Sequence, residues 1–241
     1  MLGKIKGLIG KLFYTKEILD KTKATYHGVM FAQAIQDCLW LKNKGFSFGD
    51  FGWAMDALAL HNMFRILEDV KPKNILEFGL GQSSKMVHQY AEYQKANALT
   101  VEHDKDWIDY IKTHAPQINF NICQANLEKI EVNGIETYSY KNIAQIFMSA
   151  KIGKNGGNLV ILDGYSNKHY SRPQVLDFVS ELGEDFCIFM HDSERTGEQE
   201  TLVLLYEKLN QSGVEFLKRD YDSTKRHTII CSKSWKFLTS I

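Results

Sequence analysis

The 241-residue chain lacks an excess of charge of either sign: 29 lysines and arginines offset 29 aspartates and glutamates. A neutral chain has no global field of the kind that draws proteins onto nucleic acid, so no nucleic-acid partner is expected and any anionic ligand must be met locally. Cysteine is also scarce. Cys38, Cys123, Cys187 and Cys231 are widely spaced, without a CxxC pair, and mostly sit in apolar runs, which points to reduced thiols packed as small hydrophobes in a cytoplasmic setting. No apolar stretch approaches the length that spans a bilayer. The start "MLGKIKGLIGKLF" lacks a long apolar region followed by a small-residue cleavage site, so no secretion signal is read there. Internal repeats and low-complexity tracts are missing too.

What is present is enough apolar residue, 44%, to bury a full core in one domain with additions. Leu2, Ile5, Leu8, Ile9 and Leu12 fall on one helical face while Lys4, Lys6 and Lys11 lie largely off it. Residues 1–13 are therefore expected either to touch an anionic membrane peripherally or to pack on the domain, with Gly3, Gly7 and Gly10 lowering helix propensity. Two further helical patterns follow, one around Phe31 to Leu41 and one through Trp53, Ala57, Leu60, Phe64 and Leu67. Between them the aromatic, glycine-rich loop holding Phe46, Phe48, Phe51 and Trp53 either fills a seam or caps a pocket.

From residue 74 the period changes to short strands alternating with helices, the pattern of a parallel sheet with crossover helices. Strands are expected at 74–78, 99–102, 119–123, 158–162, 186–190, 214–218 and 227–231. The clearest helices are expected at 83–94, 104–114, 173–182 and 197–210. The links around the last two strands are too short for a crossover helix, so those strands are expected to form an antiparallel hairpin. The fold class is thus α/β, a Rossmann-like doubly wound seven-stranded sheet behind N-terminal helices. Residues 1–70 form a helical extension and substrate lid in this reading, and 71–241 the cofactor-binding domain.

The stretch "NILEFGLGQSS" places a strand end, Glu77, Gly79 and Gly81 before a helix, which makes a ligand site of backbone N–H groups and helix dipole. A dinucleotide fingerprint would want glycine or alanine where Ser84 stands. Glu77 suits a cationic group better than a pyrophosphate, and Glu102, at the end of the next strand, can take two hydrogen bonds from a ribose diol. A positively charged adenosine derivative fits both acids.

On these residues the chain resembles the class I S-adenosylmethionine-dependent methyltransferases, from about Lys71 to the C-terminus. "LEFGLGQSS" looks like their first motif, E/D-x-G-x-G, and "LTVEHD" like the acidic end of their second strand. The resemblance implies that Glu77, Gly79, Gly81 and Ser83 surround the methionine part of S-adenosylmethionine and Glu102 the ribose. It also implies that Gln124 or Asn126 serves the adenine, where the family often has an acid.

Two more strand ends carry chemistry, in "NLVILDGYSNKHYSRP" and "FCIFMHDSERTGEQE". Asp163, His191 and Asp192 are expected to converge beside the cofactor, Asp163 touching both cofactor and acceptor. His191 or Asp163 would serve as general base, or Asp163 and Asp192 would hold a divalent cation such as Mg²⁺. The same stretches resemble the glucuronoxylan 4-O-methyltransferases, through Asp163-Gly164, Arg172 and the run His191-Asp192-Ser193-Glu194-Arg195. That likeness implies a sugar hydroxyl acceptor. Arg172 and Arg195 are expected either to hold a uronate or phosphate by bidentate pairing or to partner nearby acids, and Tyr165 gives the loop an aromatic face for a carbohydrate or ring acceptor. Asp163-Gly164-Tyr165-Ser166 stands where amino-methylating DNA enzymes carry D/N-P-P-Y/F/W, which disfavours that class. Two other readings stay open, a nicotinamide-dependent oxidoreductase and a non-catalytic adapter that retains the fold.

Overall fold

The computed structural model describes residues 2–45, 54–153 and 156–241, with side chains from residue 14 onward. Helix α1 (Leu2–Ala34) runs without a break through the basic start, and its outer part exposes Tyr14, Ile18, Leu19, Tyr26 and Val29. The side chains of residues 1–13, expected either to touch a membrane or to pack on the domain, and the aromatic loop at 46–53 lie outside the described residues. No described helix is long and apolar enough to cross a membrane. The helix expected over 31–41 ends at Ala34. Trp40 and Leu41 are buried from an irregular segment instead, with Trp40 stacked on Phe64 and its indole N–H given to Glu68 at 2.6 Å.

Helix α2 (Ala57–Val70) starts on Asp56, whose carboxylate caps the Ala59 N–H at 2.9 Å and also accepts from Thr224 and the Lys225 backbone. Then come β1 (Asn74–Phe78), α3 (Gln82–Gln94), β2 (Asn97–Glu102), α4 (Lys105–His114), β3 (Ile122–Gln124), β4 (Leu127–Val132), β5 (Ile135–Tyr140) and α5 (Ile143–Ala150). The chain continues through β6 (Asn158–Leu162), β7 (Phe186–His191), α6 (Thr196–Gln211), β8 (Phe216–Asp222) and β9 (Arg226–Ser232).

Seven strands form one sheet in the order β3-β2-β1-β6-β7-β9-β8, parallel from β3 to β7, with β9 antiparallel to both β7 and β8. This is the expected Rossmann-like sheet with a reversed terminal hairpin. Its central strands are buried on both faces, so β6 and β7 read as unbroken apolar runs. One face packs Ile75, Ile161, Phe189 and Ile229 against Phe31, Leu60 and Phe64, so the N-terminal helices share a core with the sheet. The other packs Leu76, Val160 and Ile188 under α5 and α6.

Three expectations shift. The segment 173–182 is not one helix but two 3₁₀ turns, Pro173–Asp177 and Val179–Glu181, because Phe178 leaves helical geometry (φ −123°) to pack on Phe147 at 4.3 Å. Strand β8 runs to Asp222, further than its apolar part, since an edge strand carries charges such as Lys218 and Arg219 on its open side. A separate antiparallel pair, β4 with β5, was not among the expected strands.

Candidate active site

The carboxyl ends of β1, β2, β6 and β7 and the start of antiparallel β9 meet at one edge of the sheet. At the first of these, Gly79 has φ +98°, and a Cβ there would lie 2.6 Å from the Asp163 carbonyl oxygen and 2.7 Å from Gly164 Cα. Only glycine lets the β1 and β6 loops pass so closely. Gly81, at the head of α3, is the opposite case, since a Cβ there would meet nothing within 4 Å. Open space over Gly81 is where a ligand can approach the backbone.

The acids at the ends of β1 and β2 are both internally held. Glu77 is fully buried and accepts from Ser83 Oγ at 2.6 Å and Thr100 Oγ1 at 2.7 Å. Burial pushes its carboxyl up to about 7, against the pull of those two hydroxyls. Ser83 therefore supports Glu77. Glu102 accepts the Leu80 N–H at 3.0 Å on one oxygen and the His103 and Asp104 N–H groups, at 2.7 and 3.0 Å, on the other. The glycine loop spends its other donors internally as well, Gly79 N–H to Val101 O at 2.8 Å and Gly81 N–H to Ser84 Oγ at 2.9 Å. Gln124, the last residue of β3, pairs with Glu102 in the sheet, and Asn126 follows it; both are exposed.

The β4–β5 hairpin brings aromatic side chains to this edge. Tyr165, 37% exposed, meets His103 at 5.6 Å and Tyr138 at 5.9 Å, both edge-on, and buried Tyr140 packs on Phe78. The signal for the hairpin is in the sequence: Asn133-Gly134 between two alternating runs, with φ of +50° and +78°, suits a two-residue turn of the primed type.

Asp163, His191 and Asp192 come together. His191 Nδ1 donates to Asp163 Oδ1 at 2.7 Å and lies 3.6 Å from Asp192 Oδ1. Burial, the largest influence on the imidazole, favours its neutral form, but the charge and hydrogen bond of Asp163 and the charge of Asp192 outweigh it and raise its pKa. Its other nitrogen, Nε2, is buried without a partner among the described residues. Asp192 sits in the left-handed region at φ +55°, a conformation aspartate tolerates better than most residues and one that recurs at functional sites.

The basic residues around this cluster differ from expectation. Arg172, expected to hold substrate, is buried beneath the site: its guanidinium bonds the carbonyl oxygens of Leu162 and His191 and lies 3.5 to 3.7 Å from Asp163, Asp192 and Glu198. A group so enclosed is a counter-charge for buried acids and is not presented to a ligand. Arg195 is partly exposed and pairs with Asp192 at 3.0 Å. Lys225 turns inward from its hairpin to Asp192, 3.6 Å away. Glu198, unrecognised in the sequence, is fully buried and accepts from Ser166 and Ser171 at 2.9 Å each. His227 and Asn62, likewise unrecognised, lie against the His191 side of the site.

The ligand atoms of Asp163, His191 and Asp192 fall within 4.8 Å of one another, a spacing a metal ion could use. As arranged, however, Arg172, Arg195 and Lys225 already face these carboxylates, and Asp163 already holds His191. The residues present fit an oriented histidine better than a divalent cation.

The class defined by fold and site is an open, doubly wound α/β protein with acids at the carboxyl ends of its first two strands. No protein-family model matches the chain, and no curated protein matches it in sequence. Solved structures do. One is a Staphylococcus aureus protein described as a caffeoyl-CoA O-methyltransferase, 13% identical, covering 74% of this chain and 84% of its own, with a TM-score of 0.49. A methyltransferase from Pyrococcus furiosus is 12% identical over 86% of this chain and 96% of its own, TM-score 0.46. Spermidine synthase from Thermotoga maritima is 15% identical over 74% and 62%, TM-score 0.44.

Proposed function

We propose that the protein is an S-adenosylmethionine-dependent O-methyltransferase acting on a hydroxyl of a sugar, glycan or related small molecule. One observation carries the cofactor class: the Glu102 carboxylate occupies the Leu80 N–H in a glycine loop whose neighbouring N–H groups are also spent internally. A pyrophosphate would need those donors and would face two carboxylates. A cationic nucleoside would gain from both acids, which disfavours the nicotinamide reading. Glu102 would take the ribose hydroxyls, the open face over Gly81 the chain between ribose and methionine, and Glu77 the field of the ammonium and sulfonium. Tyr165, His103, Gln124 and Asn126 would flank the base.

The bound cofactor supplies a methyl group on a sulfonium leaving group. The protein has to place an acceptor oxygen in line and take its proton. His191 is built for the second task, since Asp163 fixes the proton on Nδ1 and leaves Nε2 as the basic atom. As the acceptor oxygen gains the methyl group from the bound cofactor, His191 Nε2 would take the acceptor's proton and Asp163 would stabilise the resulting imidazolium. Arg195, partly exposed at the rim, would meet an acidic group on the acceptor. The local likeness of the Asp163-Gly164 and His191-to-Arg195 stretches to glucuronoxylan-modifying enzymes supports a sugar hydroxyl.

A methyl-transfer assay against fractionated cell extract, glycans included and run with and without a chelator, tests this reading. Transfer into a hydroxyl-bearing fraction that survives chelation and is lost in His191→Ala is expected. Transfer abolished by the chelator would replace the base with a metal at Asp163 and Asp192, and no transfer into any fraction would favour a non-catalytic adapter.

A further inference from the structure

Beside His191 the sheet holds a second buried histidine for which the reaction above has no role. His227 is the direct cross-strand partner of His191, and both lie on the sheet face that carries Phe189 and Ile229. It has no exposed surface and is stacked between Phe189, at 4.8 Å and 17°, and Tyr221, at 5.3 Å and 10°, so its ring plane is fixed. Asn62 of α2 reaches it from above, with Asn62 Nδ2 2.9 Å from His227 Nε2. An amide NH₂ only donates, so this bond makes Nε2 the acceptor and puts the ring proton on Nδ1. Burial holds the ring neutral, with a pKa lowered to about 3, so the Nδ1 proton is a fixed donor at ordinary pH.

That Nδ1 is buried and without a partner among the described residues, as are His191 Nε2, Asn62 Oδ1 and His61 Nδ1. Orphaned buried polar atoms are rare and costly, and the cross-strand pair His191 and His227 carries one on each ring, which points to a polar ligand or ordered water that completes them. The two ring atoms are complementary: one carries a hydrogen, the other a lone pair. A hydroxyl oxygen is the group that can accept from the first while donating to the second.

We propose that His227 and His191 form a subsite for one hydroxyl of the acceptor, with His227 Nδ1–H donating to the oxygen and His191 Nε2 accepting its hydrogen. His227 is then a substrate-positioning residue, fixed in its tautomer by Asn62, and it selects hydroxyl over amine acceptors. A protonated amine has no lone pair to offer the His227 donor. The inference rests on the base role of His191 given above.

Two measurements on the full chain test it. In ¹⁵N-histidine NMR of the protein with S-adenosylhomocysteine, His227 is expected as the Nδ1–H tautomer, and Asn62→Leu is expected to release it toward the Nε2–H form. A wild-type Nε2–H tautomer would overturn the proposal whether or not the protein transfers methyl groups. In the extract assay, His227→Asn, whose amide nitrogen stands near the Nδ1 position, should keep methyl transfer within a few-fold. His227→Gln and His227→Phe should lose about tenfold to a hundredfold, with S-adenosylhomocysteine affinity unchanged. Equal loss in the asparagine and glutamine variants would show a packing role only and refute the subsite. Absence of transfer in the wild type would instead refute the methyltransferase reading, leaving the tautomer to be judged by NMR.

Discussion

Glu77 shows how one side chain can be both costly and useful. Its carboxyl is raised from the ordinary 4.5 to about 7 because burial penalises the anion, and Ser83 and Thr100 offset only part of that. A carboxylate raised in the fold binds its proton more tightly folded than unfolded. Stability at this residue is therefore present below about 4.5 and falls as pH rises toward about 7, by about 3 kcal/mol in all. A buried cation reverses the preference, so affinity for S-adenosylmethionine should rise with pH through the same window. Urea denaturation and cofactor titration between pH 5 and pH 8, about the range that brackets this titration, should show both trends in the wild type. Glu77→Gln should flatten both, and an unchanged slope in that variant would assign the titration elsewhere.

Among the elements, the closest contact is between two loops. Gly79 and Gly164 bring the ends of β1 and β6 together, and Gly164 has the Tyr140 hydroxyl of β5 against it, at 2.6 Å from where a Cβ would stand. Gly79→Ala would strain the backbone at φ +98° and push β6 away, moving Asp163 and through it His191. A loss of about 2 kcal/mol or more by urea denaturation is expected, together with loss of methyl transfer. Near-wild-type stability would show that the loops can part. Legibility in the sequence divides along the same lines. Strands buried on both faces were readable because their apolar runs are continuous, and β1, β6 and β7 begin where expected. The β4–β5 pair was not, because its alternating residues lack an apolar run and only the Asn133-Gly134 turn marks it. Asp163, His191 and Asp192 could be found as residues that follow strands. Arg172, Glu198, Asn62 and His227 could not be assigned their places, because burial of a polar side chain depends on partners 10 to 165 positions away.

At the scale of the whole molecule the acids and the cations are sorted. Along the carboxyl edge, Glu77 and Glu102 stand at β1 and β2, while the carboxylates beyond β6 and β7 are matched by Arg172, Arg195 and Lys225. A net-neutral chain thus keeps an anionic half and a compensated half, the division that the proposed binding of a cationic nucleoside beside an acceptor would use. Isothermal titration calorimetry of wild-type protein and Glu102→Ala with S-adenosylhomocysteine and with NAD tests this division most directly. The account predicts binding of S-adenosylhomocysteine alone, weakened in Glu102→Ala by about 2 kcal/mol or roughly thirtyfold, the worth of charge-assisted hydrogen bonds to a diol. Binding of NAD instead, or a Glu102→Ala variant that binds S-adenosylhomocysteine as tightly as the wild type, would contradict it.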